Sequence, residues 1–242
     1  MANKQLQISP QTFARIGGLA YFIIIVAGIL GEIFIRSKLI ESGDAAGTAR
    51  NISNHPGLWR TRIFGDLVMH VFDLVLAVVY YKLFKRVNKS LALLSLLFGM
   101  IQTAVLVTNK MNLVLPLFLL EDTAYLKSFS VAQLQELSYL AVRAHEYGFG
   151  IGLIFFGFSC LIDGYLIYQS RFLPRFLGVL IAGAGLSYLT NSFLLIFSPR
   201  LEASLFPVLL GPLAFIAEFS MCLWLIIRGV DLPAWESCGE PV

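Results

Sequence analysis

The chain has 242 residues, of which 57% are hydrophobic and 14% charged, with a formal net charge of +3 and a mean hydropathy of +0.77. An ordinary soluble domain, with about a quarter of its residues charged, is excluded, and so small a net charge offers no basic surface for nucleic acid. What remains is an all-α, multi-pass membrane protein whose first partner is the lipid bilayer.

Crossing about 30 Å of hydrocarbon takes about 20 helical residues. Six apolar runs are that long, near 14–36, 62–84, 90–119, 144–168, 173–197 and 205–228. No Ser/Gly-rich linker, charge block or low-complexity tract divides them, so residues 1–242 are expected to form one integral-membrane domain with its six helices in one bundle.

The first run follows Lys4 and Arg15 and has no small-residue cleavage site after it, which predicts a retained helix rather than a signal peptide. Toward its end Glu32 and Arg36 stand four apart, the spacing of an ion pair on one helix face. In the 37–61 segment, Asp44 of SGDAAGTARNI is a predicted N-cap for a short helix that His55-Pro56-Gly57 ends.

The second run opens with GDLVMHVFD, residues 65–73. At about 100° per residue, Asp66, His70 and Asp73 fall within about 60° of one another and form a stripe. Such a stripe must face protein or water, and ionisable groups within a span are functional candidates by default. The following turn carries Lys82, Lys85, Arg86 and Lys89 without an acid, and a later one carries Arg171 and Arg175. Basic residues in short turns predict the cytoplasmic side, which places both termini there and turns the 37–61 and 120–143 segments outward.

In the third run the polar stretch TNKMN precedes Pro116, where a kink is expected. Ser130 and Gln133 fit a capping box. The apolar spacing of Val131, Leu134, Leu137 and Leu140 then predicts an amphipathic helix lying on the membrane surface. The fourth run brings His145, Glu146 and GFGIG; its Gly148 and Gly152, like Gly178 and Ala182 in the fifth, read as small residues for close helix packing. Asp163 falls near the cytoplasmic end and is expected in the headgroup region. Asn191 lies in the fifth run and Glu218 in the sixth. Cys160, Cys222 and Cys238 have no paired spacing, so no disulfide framework is expected.

Depth brings these residues together. At 1.5 Å of rise per residue, Asp66 lies roughly 6 Å below the outer boundary, His70 about 12 Å and Asp73 about 16 Å. Glu32, His145 and Glu146 fall at about 5–6 Å, and Asn109, Lys110, Asn112 and Asn191 at roughly 9–14 Å. The predicted site is therefore a polar pocket in the outer third of the bilayer, extended inward by Glu218 at about 20 Å. Glu32, Asp66, Asp73 and Glu146 would face one internal cation, Lys110. That acidic excess suits a proton, a cation or a small cationic ligand.

One alternative is a membrane-embedded hydrolase in which His70, Asp66, His145 and Glu146 hold a metal such as zinc, activating water against a lipid-like substrate; no HExxH pair supports it. Another is a haem between His70 and His145, whose depths differ by roughly 7 Å. No cofactor is implied outside these two readings. A polar network that only fixes helix packing is the plainest reading of all. If the first reading holds, replacing Asp66 or Asp73 by Asn should abolish function and spare the fold.

The succession RIGGLAY, GDAAGTARNI, GDLVMHVFD, IFFGFSCLIDGYLI, LPRFLGVLIAG and AEFSMCLWLIIRG resembles the bacterial multi-spanning membrane family known as domain of unknown function 4386, over about Arg15 to Gly229. The resemblance implies a six-helix protein of the bacterial cytoplasmic membrane and supplies no activity, substrate or cofactor. The positions it carries over are Arg15, Asp44, Asn51, Arg60, Asp66, Asp73, Pro174, Glu218 and Trp224; His70 and His145 are not among them.

Overall fold

A computed structural model describes residues 9–121 and 126–238, so that Lys4 lies outside the described residues. Eight helices carry the architecture. They are α1 (Pro10–Leu39), α2 (Ala45–Asn54), α3 (Pro56–Phe84), α4 (Lys89–Leu119), α5 (Val131–Ser170), α6 (Arg175–Phe197), α7 (Pro199–Ile227) and α8 (Leu232–Ser237). Six of them, all but α2 and α8, are long and apolar enough to cross a membrane, and no strand occurs among the described residues.

Local chemistry sets the ends. Ser9 accepts a hydrogen bond from the Thr12 amide and Pro10 opens α1, which widens into π-helical turns over Leu30–Arg36. Asp44 caps α2 through the Gly47 amide at 2.8 Å, and Pro56 then starts α3, six residues ahead of the apolar run.

The irregularity in α4 falls at Lys110 rather than at Pro116. There the chain tightens to three-residue hydrogen bonds, Lys110 N to Val107 O at 3.1 Å and Leu113 N to Lys110 O at 2.9 Å. The Trp59 indole donates to the nearby Leu113 carbonyl at 2.7 Å. The Ser130 capping box forms as the sequence predicts, but its helix does not lie down and turn. It runs unbroken for 40 residues to Ser170, about 60 Å, leaving Val131 and Leu140 exposed in its N-terminal part.

The six long helices pack in chain order, α1 on α3, α3 on α4, α4 on α5, α5 on α6 and α6 on α7, and α7 returns to α1. The ring is thus closed. Glycine lets α5 and α6 approach backbone to backbone: a Cβ on Gly164 would stand 2.7 Å from the Gly178 carbonyl, and one on Gly185 2.7 Å from that of Gly157. This is the small-residue packing expected of Gly178 and Ala182.

Apolar side chains close both ends of the bundle. One cluster includes Leu83, Phe84, Ile167, Leu177 and Leu225, and a smaller one gathers Leu39, Ile52, Trp59, Leu113 and Val142. At the first end the Gln11 side chain donates to Arg228 O at 2.8 Å and accepts from Val230 N at 3.0 Å. Asp231 N bonds Phe172 O at 3.0 Å, and the Arg86 guanidinium lies 3.7 Å over the Trp235 ring. Both basic turns therefore share one end of the molecule with the start of α1 and the end of α7.

Candidate functional site

The structure divides the residues singled out in the sequence into two groups. The first is an ion-paired cluster between α3, α4 and α5. The Lys110 ammonium donates to Asp66 at 2.7 Å and stands 3.3 Å from His145 Nε2; all three residues are buried, Lys110 to 4% exposure and Asp66 to 8%. Asn109 donates to the His145 carbonyl at 2.8 Å, and Asn112 to Asn109 at 2.9 Å. Glycine makes the room. A Cβ on Gly148 would lie 2.1 Å from the Asn109 side chain, and one on Gly31 3.4 Å from Asp66.

Around this core Arg36 pairs with Glu32 at 2.5 Å, and both Arg36 and Arg143 reach Glu146. Arg62 is buried with its guanidinium 5.4 Å over the Trp59 ring, and its Nε and Nη1 have no partner. Arg36, Arg62, Lys110 and Arg143 thus face Glu32, Asp66 and Glu146. The expected acidic excess does not reside here, because Arg36 and Arg143 pair with the acids and Arg62 is buried beside them.

Nor does the cluster supply the ligand set of a metallohydrolase. The Lys110 nitrogen occupies the space between Asp66 and His145 where a cation would sit. Among the described residues no three His, Cys, Asp or Glu side chains are grouped to hold a metal ion. His145 Nε2 is faced by the Lys110 ammonium at 3.3 Å, so the haem reading lacks one of its two axial ligands. Asn191 is buried with an unpartnered Oδ1 and hydrogen-bonds to none of the others.

The second group lines a cavity of about 370 Å³ at the centre of the ring, to which all six long helices contribute. Three carboxylates face it, Asp73 from α3, Asp163 from α5 and Glu218 from α7. Each is oriented by a neighbour. His70, 1% exposed, holds Asp73 through Nδ1 at 2.9 Å, with Nδ1 as the protonated nitrogen that this contact requires. The Tyr188 hydroxyl donates to Glu218 at 2.5 Å. Ser95 donates to Asp163 at 2.6 Å and lies 2.9 Å from Ser159. Asp163 is therefore a buried wall residue and not a headgroup-level acid, because its serine partners on α4 and α5 draw it into the bundle.

The rest of the wall is largely apolar and aromatic, with Tyr21, Tyr80 and Gln102 as further polar members and no Lys, Arg or His. The Tyr80 hydroxyl is buried without a partner. Carboxylates in such surroundings remain costly unless they protonate or meet a cation. The cavity tyrosines were not among the residues expected at the site. Their signal was a mid-span hydroxyl needing a partner, which the interfacial preference of tyrosine masks.

A closed helical ring around an acidic cavity defines a polytopic membrane protein. The chain belongs to the family described as domain of unknown function (DUF4386), which matches residues 16–229 and so includes all three cavity carboxylates. It is also similar to an uncharacterized protein of the archaeon Archaeoglobus fulgidus, 29% identical over 171 residues that cover 70% of this chain and 85% of the relative. No solved structure matches the chain.

Proposed function

We propose that the protein binds and moves a proton or small cation through the central cavity, acting as one integral-membrane unit with its basic turns and termini on the cytoplasmic side of a prokaryotic inner membrane. The observation that carries this reading is the placement of Asp73, Asp163 and Glu218 on one cavity whose wall contains no cationic side chain. In this reading the acidic excess inferred from sequence is carried by Asp73, Asp163 and Glu218 rather than by the Asp66, His70 and Asp73 stripe.

The test uses purified protein in liposomes, following proton movement with an internal pH dye while cation gradients are imposed. Wild type should couple the two. Glu218→Gln, which keeps a hydrogen-bond acceptor for Tyr188, should slow the flux at least tenfold, and Asp73→Asn should do the same. Full flux in both variants would sink the proposal.

A further inference from the structure

We propose that the cavity's ligand is a monovalent organic cation with a compact apolar body, an amine or quaternary ammonium, taken up in exchange for a proton. This rests on the cation-binding reading above and names its substrate class. Size is the first argument. A cavity of about 370 Å³ lies in the range of small-molecule sites, about 300–1,000 Å³, and a lone inorganic ion would leave most of it to water or void.

The wall is the second. Tyr21, Tyr80, Phe156, Tyr188 and Phe215 surround the space, while Phe149 on the same wall is already faced by the Lys110 ammonium at 5.9 Å, and Phe156 and Tyr188 lie 5.1 Å apart between ring centroids. Aromatic faces attract ammonium groups more strongly as water is excluded, whereas a hard metal ion prefers several converging oxygens. The three carboxylates come instead from three different helices, and no metal-binding trio forms among the described residues. The unpartnered Tyr80 hydroxyl, on a residue more than nine-tenths buried, supplies a free acceptor beside them.

Charge is the third. Three acids line the space, with Asp73 held by His70, and in the exchange an arriving cation displaces one proton from the carboxyl group it meets. One cation enters and one proton leaves, which conserves charge in the cavity.

The experiment measures calorimetric binding of benzyltrimethylammonium to the full chain in nanodiscs, in two buffers of different ionisation enthalpy. Neopentylbenzene, its neutral carbon isostere, is measured beside it. The quaternary cation should bind with release of about one proton and at least tenfold more tightly than the isostere, and Glu218→Gln should weaken it tenfold. Gly99→Leu gives a size test, since a Cβ there meets only Ala77 and Ser159 at 3.8 and 3.9 Å and the side chain then grows into the cavity. It should weaken binding of the organic cation at least tenfold.

Equal binding of the isostere overturns the inference, because the carboxylates would then contribute nothing. Proton or sodium binding without the organic cation overturns it too, yet leaves the cation reading standing. The absence of both removes that reading as well. Should Glu218→Gln fail to fold, the isostere comparison on wild type and the Gly99→Leu measurement still decide.

Discussion

Two aspartates seven residues apart on one face of α3 have different surroundings. Asp66 is closed against Lys110 within the ion-pair cluster, whereas Asp73 borders the cavity. Removing one partner of a buried pair leaves the other charge uncompensated, at a cost of about 3–5 kcal/mol. Asp66→Asn is therefore expected to lower stability in detergent by that amount, and adding Lys110→Met should recover most of the loss; unfolding curves of the two variants check this. Asp66 and Asp73, expected from sequence to act alike, thus stand in different surroundings, one ion-paired and one on the cavity.

Asp44 offers a residue-scale test by pH. The Gly47 amide, followed by the nearby Arg50 charge, holds its carboxyl below the usual value. A lowered folded-state pKa means that the cap stabilises fully above the unfolded value, about 3.9, and loses its effect as pH falls through the folded one. Amide exchange in α2 should be faster in Asp44→Ala than in wild type at neutral pH, and the two should converge under acid. An unchanged gap at low pH would remove the ionised cap from the account.

At the scale of elements, close packing of α5 on α6 leaves no room for a side chain at Gly178, where a Cβ would meet the Gly164 carbonyl at 2.6 Å. Gly178→Val should destabilise the protein by about 1–3 kcal/mol, read from the same unfolding curves. Helix existence was legible in the sequence because hydrocarbon thickness imposes a run length. The caps at Asp44 and Ser130 were legible because their hydrogen bonds close within three residues. The unbroken course of α5 was not, since Val131, Leu134, Leu137 and Leu140 have the same amphipathic spacing on a surface helix and on a protruding one. The break at Lys110 was equally hidden, because it goes with contacts to Asp66 and His145 that are distant in sequence.

For the whole molecule, rise per residue gave the height of each polar group but not its angle around the ring. Depth alone therefore merged Asp66, Asp73, Lys110 and Glu146 into one pocket, where the fold gives an ion-paired cluster of four cations and three acids and, adjoining it, an acidic cavity. Orientation has its own test at this scale. In a variant with the native cysteines replaced, Lys85→Cys should react with an impermeant maleimide only from the cytoplasmic side and Ser130→Cys only from outside, and the opposite pattern would invert the topology.

Ring closure also bears on biosynthesis. Gly18 of α1 packs against Ile226 of α7 so tightly that a Cβ would lie 2.8 Å from the Ile226 backbone nitrogen, and the two positions are separated by nearly the whole chain. At about 5–20 residues per second, α1 waits roughly 10–40 s after its own synthesis before that partner emerges. Until then Asp73 and Asp163 stand in an open groove without the wall that carries Glu218. The nascent protein must shelter those acids, with lipid headgroups, water or the insertion machinery, before the sixth span shuts the seam.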